Sequence, residues 1–539
     1  MLVIFMVALL NQCVKGRSVL SVYSCLVFFA MDSLAVGMHS DRIRCMKQIV
    51  NSRVLWVAIA VAFVGLLLRC YFELSGVLHG DALIFQTVGR GMLEGLKPYS
   101  DLFETKPPGI FLIHAVSWKL FGSQVFVKIL QAVALIGIPI LVVKTAVDRS
   151  QDRPSGERKI ITLVSLLFGL LLSLYAANQA GRGLVESYGA AVGIWFLGRV
   201  VVNGQWSMVK YLVLGVLMLV AVGLKEPFLL SVLAGVIILT DDWRELIPKF
   251  MIPLVIAVVL GLGALLALGI AVPFFQVYLP HMLGYHVSQY NAPLYLRMFE
   301  VWRTFTNMGA YSWFFSVAVS MLWFGVGVRG WVIGHWSLVI RWLVASLLMF
   351  LSIAIGGDFY GHHFIFALPV YAALFWWMVP RVSFSGREGK VGVVFVALLM
   401  CAALLNTRFL YDYSDWKDRE KEYKRVAAVV DQVMEGCGFD SYLQMVTSGG
   451  GPYAYVKAFP YGPIFVHYTR FLGASPLYQK EHIRALNETP LVFILDLENS
   501  NLSDVAEQFM GVRFSEDAPL CAGEDFAQPL PYHLLFRQG

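Results

Sequence analysis

The chain has 539 residues, of which 58% are hydrophobic and 14% charged, with a mean hydropathy of +0.67. Soluble globular proteins carry roughly 25% charged residues, so this composition excludes that class and leaves an integral membrane protein. The formal net charge of +6 calls for no nucleic-acid partner, because Lys and Arg in cytoplasmic loops orient membrane spans.

Residues 1–45 hold two apolar stretches, 1–10 and 18–38, interrupted by Lys15, Arg17 and Asp32. Three readings stay open for them: a signal-like segment, an extra span, or sequence upstream of a start at Met31 or Met46. Arg42, Arg44, Lys47 and Arg53 precede the first clear span, 54–68 extended towards 77, which puts its N-terminal end in the cytoplasm. The next stretch, 79–108, is therefore external. It carries Asp81, Arg90, Glu94, Lys97, Asp101, Glu104 and Lys106, and ends in Pro107-Pro108. Two prolines stiffen the backbone and hold Lys106 extended where the chain returns to the membrane. Residues 109–122 are apolar but too short to cross, and they contain His114 and Lys119; a helix lying in the interface fits them. The span 125–143 then delivers Lys144, Arg149, Arg153, Arg158 and Lys159 to the cytoplasm.

Further spans alternate at 160–177, 187–202, 209–224, 228–240, 250–272, 311–328, 342–355, 364–379 and 391–405, with a long loop rich in Tyr, Phe and His at 273–310. The total is about eleven spans, with every Lys/Arg-rich loop on one side. After Arg408 the composition turns polar. Residues 416–434 read as a charged amphipathic helix, and 442–447 and 491–497 as strands. Ser448-Gly449-Gly450-Gly451-Pro452 lacks the Gly-Lys-Ser/Thr ending of a phosphate loop and reads as a turn. The expected fold is an α-helical polytopic membrane protein with a C-terminal soluble α/β domain. Its parts are an N-terminal extension (1–45), a transmembrane domain (46–409) with a first external loop (78–124), and an extracytoplasmic domain (410–539). The expected location is the cell (inner) membrane.

The same alternation gathers polar groups at the outer face: Arg182 and Glu186, Lys225 and Glu226, Asp358, His362 and His363, beside Asp81 and Lys106. Leaving such groups buried and unpaired costs several kcal/mol. Each also has a structural reading. Glu226 can pair with Lys225 or Arg182 to hold two helices together. His362 and His363 are adjacent on a helix, where side chains point apart, and no third ligand stands at useful spacing, so no metal is expected. Glu94, Asp101 and Glu104 read as solvated loop charges. Asp81 differs, because the run 77–87 has no other charge except its own, and local ion pairing does not account for it.

The pattern Asp81, Gly91-x-x-x-Gly95-x-x-Pro98-Tyr99 and Lys106-Pro107-Pro108 resembles the first external loop of GT-C glycosyltransferases. That family uses polyprenyl-phosphate sugars and includes protein O-mannosyltransferases and aminoarabinose transferases. Leu184-Val185-Glu186-Ser187-Tyr188, Gly223-Leu224-Lys225-Glu226-Pro227 and His362-His363-Phe364 through Pro369 match its later motifs in order. Many relatives carry Asp-Glu where this chain has Asp81-Ala82. The resemblance covers about residues 50–410. It implies a sugar moved from a polyprenyl-phosphate carrier to a lipid, glycan or protein hydroxyl, with inversion and without a cofactor. Asp81 would be the base, with Glu186 the second acid. Lys106, Lys225 and Arg182 would face the phosphate, and His362 and His363 the substrate.

Two rival classes share the spans and the buried charges: a lipid-linked sugar flippase or transporter, and a non-catalytic glycan-assembly subunit. A transporter predicts an inverted repeat and broken mid-membrane helices, and neither is visible in the sequence. The seven cysteines show no C-x-x-C spacing. Cys13, Cys25, Cys45, Cys70 and Cys401 lie in or near apolar segments, while Cys437 and Cys521 lie in the tail. An extracytoplasmic tail favours a Cys437–Cys521 disulfide, against the alternative of two buried thiols.

Overall fold

The structure, a computed structural model, describes residues 53–76, 78, 80–179, 183, 185–202, 206–286, 293–307, 336–355, 361–378, 412–445, 452–463, 476–489, 491–494, 514–515, 521 and 533–537. The first helix, α1 (Arg53–Ser75), is followed by α2 (Gly80–Leu93), and the pair is bent by 47°. The first loop then runs to α3 (Pro108–Phe121). Pro108 opens that helix, where its missing N–H costs nothing, and Gly122 closes it in the left-handed conformation. Next come α4 (Val125–Asp148), α5 (Ser155–Gln179), α6 (Val185–Val201), α7 (Met208–Leu224) and α8 (Phe228–Leu239).

Helix α9 (Ile252–Ala267) is preceded by a π-turn, Ile247–Met251. The described part of the stretch expected as a long loop at 273–310 is instead largely helical. Short α and π turns run from Ala271–Pro273 to Met282–His286, followed by α10 (Leu294–Asn307). The reason is packing: Phe274, Tyr278 and His281 turn their rings onto Tyr99 and Phe103 of the first loop, and that burial overrides the loop-like composition.

After α11 (Trp336–Ala354) come the 3-10 helix Gly361–Ala367 and α12 (Leu368–Met378). The expected spans 311–328 and 391–405 lie outside the described residues. Among those described, Val125–Asp148, Ser155–Gln179, Trp243–Ala267 and Trp336–Ala354 are long and apolar enough to cross a membrane. The bent α1–α2 pair adds a fifth if taken as one span, while α3, α7 and α8 are apolar but shorter. Their outward faces carry large apolar side chains, such as Val255, Val259 and Leu266 on α9 and Met208, Val209 and Leu212 on α7. Such ridges fit a lipid surface and no aqueous one, and the chain is a multi-pass membrane protein.

Inside the bundle, polar side chains serve the backbone. Pro139, inside α4, has no N–H for the Leu135 carbonyl one turn back, and Ser173 Oγ of α5 donates to that oxygen at 2.5 Å. Tyr188 OH of α6 donates to Val127 O at 2.9 Å, and Trp376 Nε1 of α12 donates to Val142 O at 3.1 Å. Each bond joins helices and satisfies a polar group with no water to turn to.

In the tail, α13 (Asp412–Cys437) covers the expected helix and runs a turn further. Four strands follow: β1 (Leu443–Met445), β2 (Leu491–Ile494), β3 (Phe514–Ser515) and β4 (His533–Arg537), with α14 (Pro476–Glu488) before β2. The sheet order is β1-β2-β4-β3, parallel between β1 and β2 and antiparallel elsewhere.

Candidate active site

Asp81 stands in the first turn of α2, where a carboxylate suits the positive end of the helix dipole, and it is half-buried. Its neighbour Ala82 is fully buried, with Gly183 packed against it. A Cβ at Gly183 would lie 3.1 Å from that of Ala82 and 2.8 Å from Leu78, and its φ of +76 is left-handed. The left-handed glycine thus lets the chain pass close over Ala82.

The loop after α2 is held by its own chemistry. Asp101 accepts from the Lys97 amide at 2.7 Å. Tyr99 has a φ of +72, a costly region for a residue with a side chain. Its amide donates to Leu102 O at 2.9 Å, its hydroxyl donates to Lys106 O at 2.8 Å, and its ring is buried. Those contacts fix the Lys106 backbone. Pro107 then continues extended into α3, where Gly109 meets the end of α7. A Cβ at Gly109 would lie 2.5 Å from the Gly223 carbonyl oxygen. This close approach brings Lys106 beside Lys225, the residue that ends α7.

Around that junction, acids and cations from distant segments converge. Lys106 Nζ is 3.6 Å from Glu104 Oε1 and 5.9 Å from the Phe85 ring centroid. Lys225 Nζ contacts Glu186 Oε1 directly and lies 5.3 Å from the Phe366 ring centroid. His362 Nε2 is 3.9 Å from the same Glu186 oxygen. Glu226 accepts from Tyr278 OH and makes no ion pair with Lys225 among the described residues, while its other expected partner, Arg182, lies outside them. Lys225 is taken by Glu186 instead, because α6 and α7 pack side by side.

Two further expectations are corrected. Glu104 is 8% exposed rather than solvated, whereas Glu94 and Asp101 are exposed. His362 and His363 do not diverge, for they sit on a 3-10 turn with ring centroids 4.4 Å apart, edge to face. Arg182 and Asp358 lie outside the described residues. Among those described, no group of three or more His, Cys, Asp and Glu could hold a metal.

The loop charges perturb one another. Burial pushes the Glu104 carboxyl up, with Lys106 pulling it back. Burial alone would lower the Lys106 ammonium, but Glu104, Asp81, Glu186 and Glu226 together outweigh it and leave it raised. Lys106 therefore stays charged, and it feels all four carboxylates. Sequence reasoning missed Glu104, Tyr99 and Tyr278 as parts of this cluster. The Pro98-Tyr99 pair in the loop pattern is the only signal that pointed to any of them.

The tail closes over the far side of the first loop. Gln86 Nε2 donates to Ala454 O at 2.9 Å, Arg90 donates to the carbonyls of Ala454, Val456 and Lys457, and the Phe103 amide donates to Pro463 O. An open cleft of about 460 Å³ lies there, lined by Arg90, Glu94, Leu96, Trp118, Lys457 and Phe459. In the tail, Cys437 and Cys521 are joined by a disulfide, with Cα atoms 5.0 Å apart.

No protein-family model and no curated protein matches the chain. Solved structures match in fold, two chains of ArnT among them. ArnT from Cupriavidus metallidurans bound to undecaprenyl phosphate aligns with a TM-score of 0.50 and 12% identity, over 90% of this chain and 98% of that one. The same protein in the apo state gives 0.51 and 12%, over 89% and 97%. At this identity the likeness is one of fold, and it spans nearly the whole of both chains.

Proposed function

We propose that the chain is a membrane glycosyltransferase that moves a sugar from a polyprenyl-phosphate carrier to an acceptor hydroxyl at the outer face of the membrane. The observation that carries this reading is the convergence of Asp81, Glu104 and Lys106 of the first loop with Glu186, Lys225 and His362 of the bundle. It stands in a fold shared with a protein crystallised with undecaprenyl phosphate. A lipid-linked donor keeps its phosphate at the membrane surface, and the cluster stands where spans end.

In this reading Asp81 takes the proton from the acceptor hydroxyl. The freed oxygen attacks the anomeric carbon as the bond from that carbon to the phosphate oxygen breaks. The electron pair leaves with the polyprenyl phosphate, and in-line attack inverts the anomeric centre. Lys106 neutralises the growing phosphate charge, and fixed cations in a water-poor site do this at little reorganisation cost. Lys225, held by Glu186, adds to the field. Arg182 and His363 complete the proposed substrate contacts. The outer side, the extracytoplasmic tail and the domain boundaries at 46–409 and 410–539 belong to the same proposal.

The test is transfer of radiolabel from polyprenyl-phosphate sugars to a mixed lipid, glycan and protein acceptor pool by the purified protein. Label appearing in the acceptor with stoichiometric release of polyprenyl phosphate is the expected result. Movement of intact donor across vesicles, with no sugar released, would instead make the protein a flippase.

A further inference from the structure

Asp81 and Arg90 stand in the first and last turns of α2 (Gly80–Leu93). They are nine residues apart, about two and a half helical turns, so they emerge on opposite faces about 14 Å apart along the axis. Gln86 is four residues before Arg90 and shares its face. Both side chains reach the tail. Gln86 Nε2 donates to Ala454 O at 2.9 Å and Arg90 Nη1 donates to the same oxygen at 3.1 Å. One carbonyl has two lone pairs and can accept both. Arg90 also donates to Val456 O at 3.1 Å and to Lys457 O at 3.2 Å.

The guanidinium is held by ring faces as well as by bonds. Trp118 of α3 lies 5.1 Å from it and Phe459 of the tail 5.4 Å. Its fork of donors is spent on the chain's own backbone, on the side of α2 away from Asp81. Arg90 is thus not placed as a phosphate cation for that site. The tail segment it grips is itself anchored. The Lys457 amide donates to Asp431 Oδ1 of α13 at 2.8 Å, and Lys457 Nζ pairs with Glu435 at 2.7 Å. At the other end of the loop, the Phe103 amide donates to Pro463 O next to Glu104. On the bundle side, Gln124 at the start of α4 donates to Gln86 Oε1.

We infer that Arg90 is a positioning residue, clamping the tail segment 452–463 onto the back of α2 and so fixing the orientation of Asp81 relative to Lys106. The tail is then part of the machinery that shapes the site, whatever else it binds. The inference that Asp81 is the group being oriented rests on the transferase reading above. Because the clamp grips carbonyls, it depends on the guanidinium fork and not on tail side chains. A lysine, with one compact ammonium, cannot span three acceptors.

The test uses the full chain in lipid nanodiscs, comparing Arg90→Lys and Arg90→Ala with wild type by hydrogen exchange and by transfer kinetics. Peptides within 80–93 should exchange about tenfold faster in both variants, while those within 185–201 keep their protection. Turnover should fall about tenfold or more, with the KM for polyprenyl-phosphate sugar within about twofold and the acid limb of the kcat–pH profile displaced. A purely structural role would lower amplitude and leave that limb in place. Wild-type protection of 80–93 and wild-type kcat in Arg90→Ala overturn the inference, as does loss of protection spread evenly over the chain. The exchange arm needs no substrate. A wild-type protein that transfers no sugar sinks the transferase reading, while local loosening of α2 in that protein still upholds the clamp.

Discussion

The contact between Gly109 and Gly223 offers the sharpest test of how the site is assembled. A methyl group at position 109 would sit 2.5 Å from the Gly223 oxygen and 2.9 Å from its carbonyl carbon, whereas ordinary contact begins at 3.4 Å. Both clashing atoms are backbone, so no rotamer change relieves them, and α3 and α7 must part by roughly 0.9 Å. Overpacking of this kind costs about 1–3 kcal/mol, offset by up to ~1 kcal/mol of helix propensity. Lys106 is tied to the start of α3 through two prolines and Lys225 caps α7, so the separation passes directly to the two ammonium groups. A misplacement near 1 Å can lower a rate about 100-fold. Gly109→Ala should therefore lose about 10–100-fold in transfer while its unfolding midpoint falls only modestly. Gly223→Ala is the control, because a Cβ there meets nothing within 4 Å. It should keep the rate and gain up to ~1 kcal/mol. A Gly109→Ala protein with wild-type turnover and stability, or a Gly223→Ala protein as crippled as its partner, would refute the reasoning.

Asp81→Asn keeps shape and hydrogen bonding but removes basicity, so transfer should fall at least ~100-fold in a folded protein; near-normal transfer would hand the base role to another acid, with Glu186→Gln the next variant to assay. Lys106→Ala should, under the transferase reading, both weaken binding of the polyprenyl-phosphate sugar and slow turnover, because the phosphate gains charge as the sugar leaves; unchanged values for both would make Lys106 a mere interfacial anchor. His114 on α3 is 2% exposed, its Nε2 has no hydrogen-bond partner among the described residues, and burial lowers its pKa to about 3. The unfolded chain therefore takes up that proton first, and the contribution of His114 to stability is lost as pH falls from about 6.5 towards about 3, by up to ~1.4 kcal/mol per pH unit. His114→Leu should flatten that part of the stability–pH slope between pH 7 and 5 in denaturant titrations, and parallel slopes would count against it. Removing the Cys437–Cys521 bond by Cys521→Ser should cost about 2–4 kcal/mol of tail stability, whereas thiol labelling of both cysteines in unreduced, unfolded wild type would show that the bond does not form.

Much of this architecture was legible in the residues. Apolar runs marked the helices, and the polar interruptions 81–106, 186, 225–226 and 362–363 marked the positions that meet in space. What could not be read was which acid would pair with which base, because that depends on helix neighbours and not on spacing. Glu226 follows Lys225 in sequence, yet Tyr278 takes it, and Glu186 reaches across from α6 to claim the lysine. Glu104 read as a solvated charge, yet the loop buries it, with Thr105 donating to it at 3.0 Å and Lys106 3.6 Å away. The clamp at Arg90 was equally invisible, since its acceptors are backbone carbonyls, which any sequence supplies.

The two lysines at the centre are not equivalent, and the difference bears on how a phosphate would be held. Lys225 makes a direct contact with Glu186, whose own side chain is nearly sealed at 2% exposure. Breaking a buried pair by removing one partner costs about 3–5 kcal/mol, so Lys225 cannot leave Glu186 for a ligand without a comparable gain. Lys106 is held more loosely, 3.6 Å from Glu104, with its side chain 18% exposed. Burial also raises the Glu104 carboxyl, which weakens that carboxylate's claim on the lysine when the site is occupied by another anion. Under the transferase reading, Lys106 is the cation free to move onto the departing phosphate, and Lys225 supplies a fixed field behind it. Under the same reading, the close approach of Gly109 to Gly223 keeps the mobile charge and the fixed one at one junction.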